Sequence, residues 1–408
     1  MMPESPVVTA APPVINPTLP VQRMASVDAY RGFVMLLMIG EVFSFRHVSE
    51  SLPQSAFWRF LYFNQDHVPW IGCSLHDMIQ PSFSFLVGVA LPYSLASRLA
   101  KGVSFGAMLR SAIVRSLILM ALGIFLRSLW TNQTNFTFED TLTQIGLGYT
   151  FLFLLGFASN RVRIIALIVI LVGYWLAFAL YPLPNGTLPE AMTGVPPNWE
   201  HNLHGFAAHW NKNTNLAWAF DRWFLNLFPR EHHFEYNEGG YATLSFIPTL
   251  GTMILGLLAG SILKSRHAGR FKIKRFVIIG ASLVAAALFF HFTGINPIVK
   301  RIWTPAWTLF SGGICFLFLA LFYGVIDVYN HRKYAFILTV VGMNSIAAYV
   351  LADGFGPFLN HTLYVHLGQH YDQVFGDAYS SLIRGAIMIF IDWRILYWMY
   401  KKKIFIKI

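Results

Sequence analysis

A chain of 408 residues that is 55% hydrophobic and only 12% charged is not an ordinary globular protein, in which about 25% of residues carry charge. Its mean hydropathy is +0.52, and its apolar residues fall in continuous runs of about 18–24 rather than in alternation, which points to an all-α, polytopic bundle of membrane helices and away from a β-barrel. The net charge of +11 would suit nucleic acid in a soluble protein, but here it is spread over the loops between apolar runs, and no nucleic-acid partner is expected.

In chain order, residues 1–22 are rich in Pro and Ala and lack a basic stretch leading into an apolar one. They read as a disordered tail, not a signal peptide. The remainder, 23–408, reads as one membrane domain. Ten spans are predicted, at about 28–46, 75–98, 107–130, 141–158, 162–181, 243–264, 272–292, 304–328, 334–352 and 377–400. Threading the chain through them collects most Lys and Arg residues on one face, in short loops such as those holding Lys101, Arg161, Lys264 to Arg275, and Lys401 to Lys403. That bias puts both termini in the cytoplasm. The long loops 47–74, 182–242 and 353–376 then lie outside with most of the histidines. Recognition and chemistry are expected on that side.

Ionisable groups inside spans are costly and therefore informative. Asp28 and Arg31 lie three apart at the start of the first span and share a face. They read either as an ion pair anchoring the helix end or as a site for a polar cofactor. Glu41 follows Arg31 by ten residues, or about 15 Å of helix, in the outer half of the bilayer, where it needs a partner. Next comes Asp66-His67-Val68-Pro69-Trp70-Ile71-Gly72. Pro69 restricts Val68, Trp70 is an amphipathic interfacial anchor, and Asp66 and Asp77 are in reach to orient the imidazole. His67 is either a solvated loop residue or a carboxylate-held general base or nucleophile. Asp77 opens the second span, where it either complements the helix dipole or joins the chemistry. The outer loop 182–242 carries Trp199, Trp210, Trp218 and Trp223, which suit sugar faces, while Asn215 to Phe228 also reads as an interfacial helix. Asn344, within the ninth span, reads as an interhelical hydrogen-bonding group. Arg384 in the last span is a candidate partner for Glu41 or Asp77. Cys73 and Cys315 show neither a disulfide framework nor metal-ligand spacing, and no metal is expected.

Together these residues resemble the heparan-α-glucosaminide N-acetyltransferase family and its bacterial relatives. The family's Ser-x-Asp-x-x-Arg-Gly opening is matched by Ser26-Val27-Asp28-Ala29-Tyr30-Arg31-Gly32. Its loop His before Trp-x-Gly, then Asp and Phe-Pro, is matched by His67, Trp70, Gly72, Asp77 and, with Gln for Phe, Gln80-Pro81. Asp221-Arg222, Glu238-Gly239, the Gly256 to Gly260 stretch, Lys300-Arg301-Ile302-Trp303-Thr304-Pro305 and Gly342-Met343-Asn344 match later signatures. The chain departs from the family at Glu41-Val42, where Asn is usual, and at Thr143-Gln144, where Gln-Arg is. The resemblance implies transfer of acetyl from cytosolic acetyl-CoA to an extracytoplasmic amino sugar or glycan. It makes His67 catalytic, with Asp77 and Glu41 beside it. Asp28, Arg31 and Asn344 become candidates on the cofactor side, and Asp221, Glu238, Trp70 and Arg384 on the acceptor side. It implies an integral protein of a bacterial inner membrane, in contact with lipid, and is compatible with a homodimer. A transporter or flippase of a small polar solute is the competing reading, since charged groups in spans also mark solute pathways. A non-catalytic relative that binds lipid or protein is the third.

Overall fold

The structure, a computed structural model, describes residues 24–184, 186 and 188–406; the predicted tail 1–22 lies outside them. The described residues are helical, with no strand and one isolated antiparallel bridge, Ile71 to Val299. The chain runs through α1 (Ala25–Ile39), α2 (Phe45–Ser51), α3 (Ala56–Gln65), α4 (Ile79–Ala100), α5 (Phe105–Ser128), α6 (Thr141–Leu155) and α7 (Asn160–Leu180). The loop 182–242 holds α8 (Glu190–Thr193) and α9 (Leu216–Phe224). Then follow α10 (Phe246–Lys264), α11 (Gly269–Phe292), α12 (Pro305–Phe322), α13 (Phe336–Met343), α14 (Ser345–Val350), α15 (Gly356–Leu367) and α16 (Ser380–Lys401).

All ten predicted runs are largely helical, but length and composition support fewer crossings. Six helices are long and apolar enough to span a membrane, and eight if two bent pairs each count once. The pairs are Ala25–Phe43 with Phe45–Ser51, bent by 44°, and Arg332–Met343 with Ser345–Leu367, bent by 70°. The two runs that fall short do so for different reasons. Helix α6 has 15 residues, about 22 Å of rise against a hydrocarbon core of about 30 Å. Helix α16 carries Arg384, Asp392 and Arg394 along its length.

Helix α10 is the centre of the bundle. It packs on α4, α6, α7 and α12, and most of its length is buried. Its contact with α4 depends on Gly256 and Gly260, four apart, which press on the backbone of Phe85 and Val89. A Cβ at Gly256 would run into the Phe85 carbonyl, so small residues here let the two backbones touch, as in membrane helix pairs generally.

A second, smaller core lies at the end of α7 and in the loops packed around it. Trp70, Tyr174, Phe178, Trp210, Ala217, Ala242, Val299 and Ile302 bury against one another. The loop 182–242 is therefore folded onto the bundle, and it is glued to two other segments: the loop before α4 and the loop before α12. That gluing brings the candidate site together.

Candidate active site

The loop before α4 is shaped by local rules. Ser74 and Asp77 form a capping box: the Asp77 N–H donates to Ser74 Oγ at 3.2 Å, and the Ser74 N–H donates to Asp77 Oδ2 at 3.0 Å. Just upstream the chain reverses at Gly72, whose φ of +114° is open to glycine and strained for any other residue. The reversal lets the Gly72 N–H donate to Ile298 O at 3.1 Å, pinning this loop against the one before α12. That second loop has its own device. Trp303 sits at φ +48°, an uncommon conformation for a bulky residue. It is held there by burial and by its indole N–H donating to Thr252 Oγ1 at 3.2 Å. Thr304 then caps α12 by accepting from the Trp307 N–H, with Pro305 in its first turn.

The result is a cluster of five ionisable side chains. Asp77, buried to 1% exposure, sits at its centre. Its Oδ1 lies 2.8 Å from His67 Nδ1 and 3.1 Å from Lys300 Nζ. Its Oδ2 accepts from the Val68 N–H and from both donors of Ser74. Lys300, itself buried, stands 3.0 Å from His67 Nδ1 and 3.5 Å from Nε2. A ring nitrogen has one hydrogen or one lone pair, so Nδ1 cannot bond both neighbours. The Lys300 ammonium has Asp77 as acceptor; we therefore assign the Nδ1 hydrogen to the Asp77 bond. Nε2 is left as the basic, available nitrogen, on a side chain that is 33% exposed. Burial is the main cause that lowers the His67 pKa below its ordinary value. The nearby Lys300 charge and His76 act in the same direction, while Asp77 opposes them. The balance favours the neutral imidazole.

A second histidine–carboxylate pair adjoins the first. His76 Nε2 lies 2.6 Å from Glu41 Oε1, and the rings of His76 and His67 are 4.6 Å apart. Arg301 ties the wall of the site together, donating to the carbonyls of Val68 and Gly239 at 3.1 and 2.9 Å. Tyr241 faces both cations, 5.9 Å from Lys300 and 4.9 Å from Arg301. Among the described residues no group of His, Cys, Asp and Glu is arranged to hold a metal ion.

Of the ten candidate residues, His67, Asp77 and Glu41 meet here. The other seven lie elsewhere or are engaged otherwise. Trp70 is fully buried, its indole N–H donating to Trp210 O at 3.0 Å; it holds the loop in the second core. Glu238 is exposed on the rim, one residue from the Gly239 carbonyl that Arg301 holds. Asp221 is buried and accepts the Thr243 N–H at 2.9 Å; burial pushes its carboxyl up to about 7. Asp28 and Arg31 contact each other at 3.4 Å near the start of α1, about 15–20 Å of helix from Glu41. Among the described residues the Asn344 side chain bonds no neighbouring helix. It donates to Ile404 O and accepts from the Ile406 N–H, clasping the segment after α16 at the break between α13 and α14. Arg384 does not reach Glu41 or Asp77. It pairs with Asp372 at 3.6 Å and donates to the Tyr364 hydroxyl, because the outer end of α16 packs on α15 and the loop that follows it.

Lys300, His76 and Ser74 were not singled out for chemistry by the sequence. Lys300 had a signal, the Lys-x-x-Trp-Thr-Pro run, but nothing in the run says which side chain points at Asp77.

The fold and site thus define an integral, multi-pass helical membrane protein with a histidine–aspartate–lysine cluster where its loops close over the bundle. No family model matches the chain. Over 95% of its length, however, it is similar to two named proteins. It is 24% identical over 432 aligned positions to the heparan-alpha-glucosaminide N-acetyltransferase of Homo sapiens, and 22% identical over 436 to that of Mus musculus. The chain is related to these proteins and spans 60% of the length of each.

Proposed function

We propose that this chain is a transmembrane acetyltransferase that moves acetyl from acetyl-CoA to an amino sugar or glycan on the opposite side of the membrane, with His67 as its reactive group. The observation that carries the reading is the His67–Asp77–Lys300 cluster, in a chain similar over nearly its whole length to enzymes named for this transfer. In this reading α6 and α16 cross along with the six long helices and the two bent pairs, so that the chain crosses a bacterial inner membrane ten times with both termini in the cytoplasm.

The cluster has the chemistry for a thioester and an amine. Asp77 fixes the tautomer, so Nε2 carries the lone pair. Burial, aided by the Lys300 charge, disfavours the protonated ring, and Lys300 offers a cation near the carbonyl oxygen that becomes an oxyanion. Nε2 then either takes a proton from the acceptor amine as that nitrogen attacks the thioester, or attacks the thioester carbon itself and passes the acetyl on. In both cases the carbon–sulfur bond breaks and the sulfur leaves as thiolate, to be protonated by the imidazolium or by solvent. Only the covalent route exchanges labelled CoA into acetyl-CoA when no acceptor is present. Arg31, positioned by Asp28 near the start of α1, is proposed to meet the anionic end of the donor. Glu238, exposed on the rim, is proposed to meet the acceptor.

The test is acetyl transfer from labelled acetyl-CoA to a panel of amino sugars by the purified chain in lipid. Wild type should label an acceptor, and His67→Ala should lose at least about a hundredfold. Equal labelling by the two would overturn the reading. The competing transporter reading predicts uptake of a polar solute into vesicles, without transfer.

A further inference from the structure

Helices α4 and α5 are joined by only four residues, yet they scarcely touch, because α6 is packed on both and holds them apart. The split leaves a cavity of about 120 Å³ at the end of the bundle nearest Lys101, lined by Arg98, Arg115, Ser94, Ser111 and Tyr149 among apolar side chains. Arg115 lies ten residues inside α5, about 15 Å of rise from its start. Its neighbours Ile113, Val114, Leu117 and Ile118 are exposed on the bundle surface, the face that meets lipid tails. An arginine at that depth is costly without a counter-charge. Among the described residues no carboxylate lies within ion-pair distance of Arg115 or Arg98. Arg115 bonds only the Tyr149 hydroxyl, at 3.2 Å, with its guanidinium 4.5 Å from that ring. Its buried Nε has no hydrogen-bond partner.

We infer that this cleft binds the phosphate of an anionic phospholipid. The phosphate would sit between Arg98 and Arg115, and an acyl chain would lie against Val114, Ile118 and Phe153. The shared chemistry is a phosphate ester. The lipid source is favoured because the cleft's outer wall is the exposed apolar face of α5, so a headgroup arrives there with its tail already in the bilayer. Two arginines and two hydroxyl-bearing serines match the oxygens of one phosphate diester.

The test is native mass spectrometry of the full chain in detergent, titrated with phosphatidylglycerol or phosphatidylcholine of matched tails. Phosphatidylglycerol should be retained at least about fivefold better, the worth of one arginine near a charged headgroup. Arg115→Gln and, separately, Arg98→Gln should each erase most of that preference. Arg110→Gln, on the same helix but outside the cleft, should keep it. No preference, or a preference that survives both cleft variants, refutes the site. Inorganic phosphate and acetyl-CoA are the discriminating competitors. If either displaces phosphatidylglycerol at micromolar concentration, with the same dependence on Arg115, the cleft belongs to a soluble phosphate ester and the lipid assignment fails.

Discussion

Replacing Lys300 by methionine removes one charge and nearly nothing else in shape, and its consequences can be worked out. The ammonium stands 3.0–3.5 Å from the two ring nitrogens of His67. A unit charge at about 4 Å is worth about 4 kcal/mol at an effective dielectric of 20. A ring one-third exposed feels only part of this, so we expect the His67 pKa to rise by roughly one unit, or about 1.4 kcal/mol. The measurement is log kcat/KM for acetyl transfer against pH. In the proposed reaction the neutral imidazole is the active form, so the acid limb should move up by roughly one unit in Lys300→Met, while Lys300→Arg, which keeps the charge, should leave it in place. Stability follows the same linkage. A histidine whose folded pKa lies below its unfolded value of 6.5 costs stability as pH falls below 6.5, because the unfolded chain takes up the proton first. That acid-side loss should shrink in the methionine variant, even though removing one partner of buried Asp77 lowers overall stability by about 3–5 kcal/mol. An acid limb that stays where it is in wild type would refute the electrostatic role assigned to Lys300.

Asp77→Asn keeps the shape but frees the tautomer of His67. It should cut kcat by about 10³-fold or more with little change in donor affinity, which transfer assays over a range of acetyl-CoA concentrations will separate. Asp221 is buried with its folded pKa near 7, above the unfolded 3.8. It therefore stabilises the chain fully below 3.8, and that stability is lost as pH rises through 7. Asp221→Asn should melt higher than wild type at pH 8, and the gap should narrow as pH falls below 7 and close only toward 3.8. Gly256→Ala forces α4 and α10 apart at the Phe85 carbonyl. A loss of at least about 2 kcal/mol, read as a lower melting temperature in detergent, is expected; an unchanged value would mean that the α4–α10 contact is not tight.

Much of this architecture was legible because membrane helices announce themselves. Each predicted apolar run is largely helical, and Asp77 was one of two carboxylates, with Asp66, placed in reach of His67; the structure pairs the ring with Asp77. Legibility stopped where the answer depended on long-range contact. Arg384 looked like the cation for Glu41 because both belong to outer span ends, but Asp372, on a loop with no periodicity to betray its position, reaches it first. Glu41 instead meets His76, which looked like one of many outer histidines. Trp70 looked like a surface anchor because Pro-Trp at a span end usually is one; here the outer loop folds over it and it becomes core. Lys300 is 233 residues from His67, and no local pattern connects them. What connects them is a pair of backbone devices, Gly72 with its positive φ and the strained Trp303, each of which bends one loop toward the other. Those two residues carry no chemistry of their own. They stand in the sequence as parts of Trp-x-Gly and Trp-Thr-Pro, and the geometry explains why such short motifs flank the reactive residues: the motifs build the approach of two loops, and the charges ride on it. By that argument Gly72→Ala should move Lys300 away from Asp77 and shift the acid limb of the pH profile as Lys300→Met does, although no ionisable group has been changed. If Gly72→Ala alters stability alone and leaves the pH profile in place, the loops approach one another for some other reason.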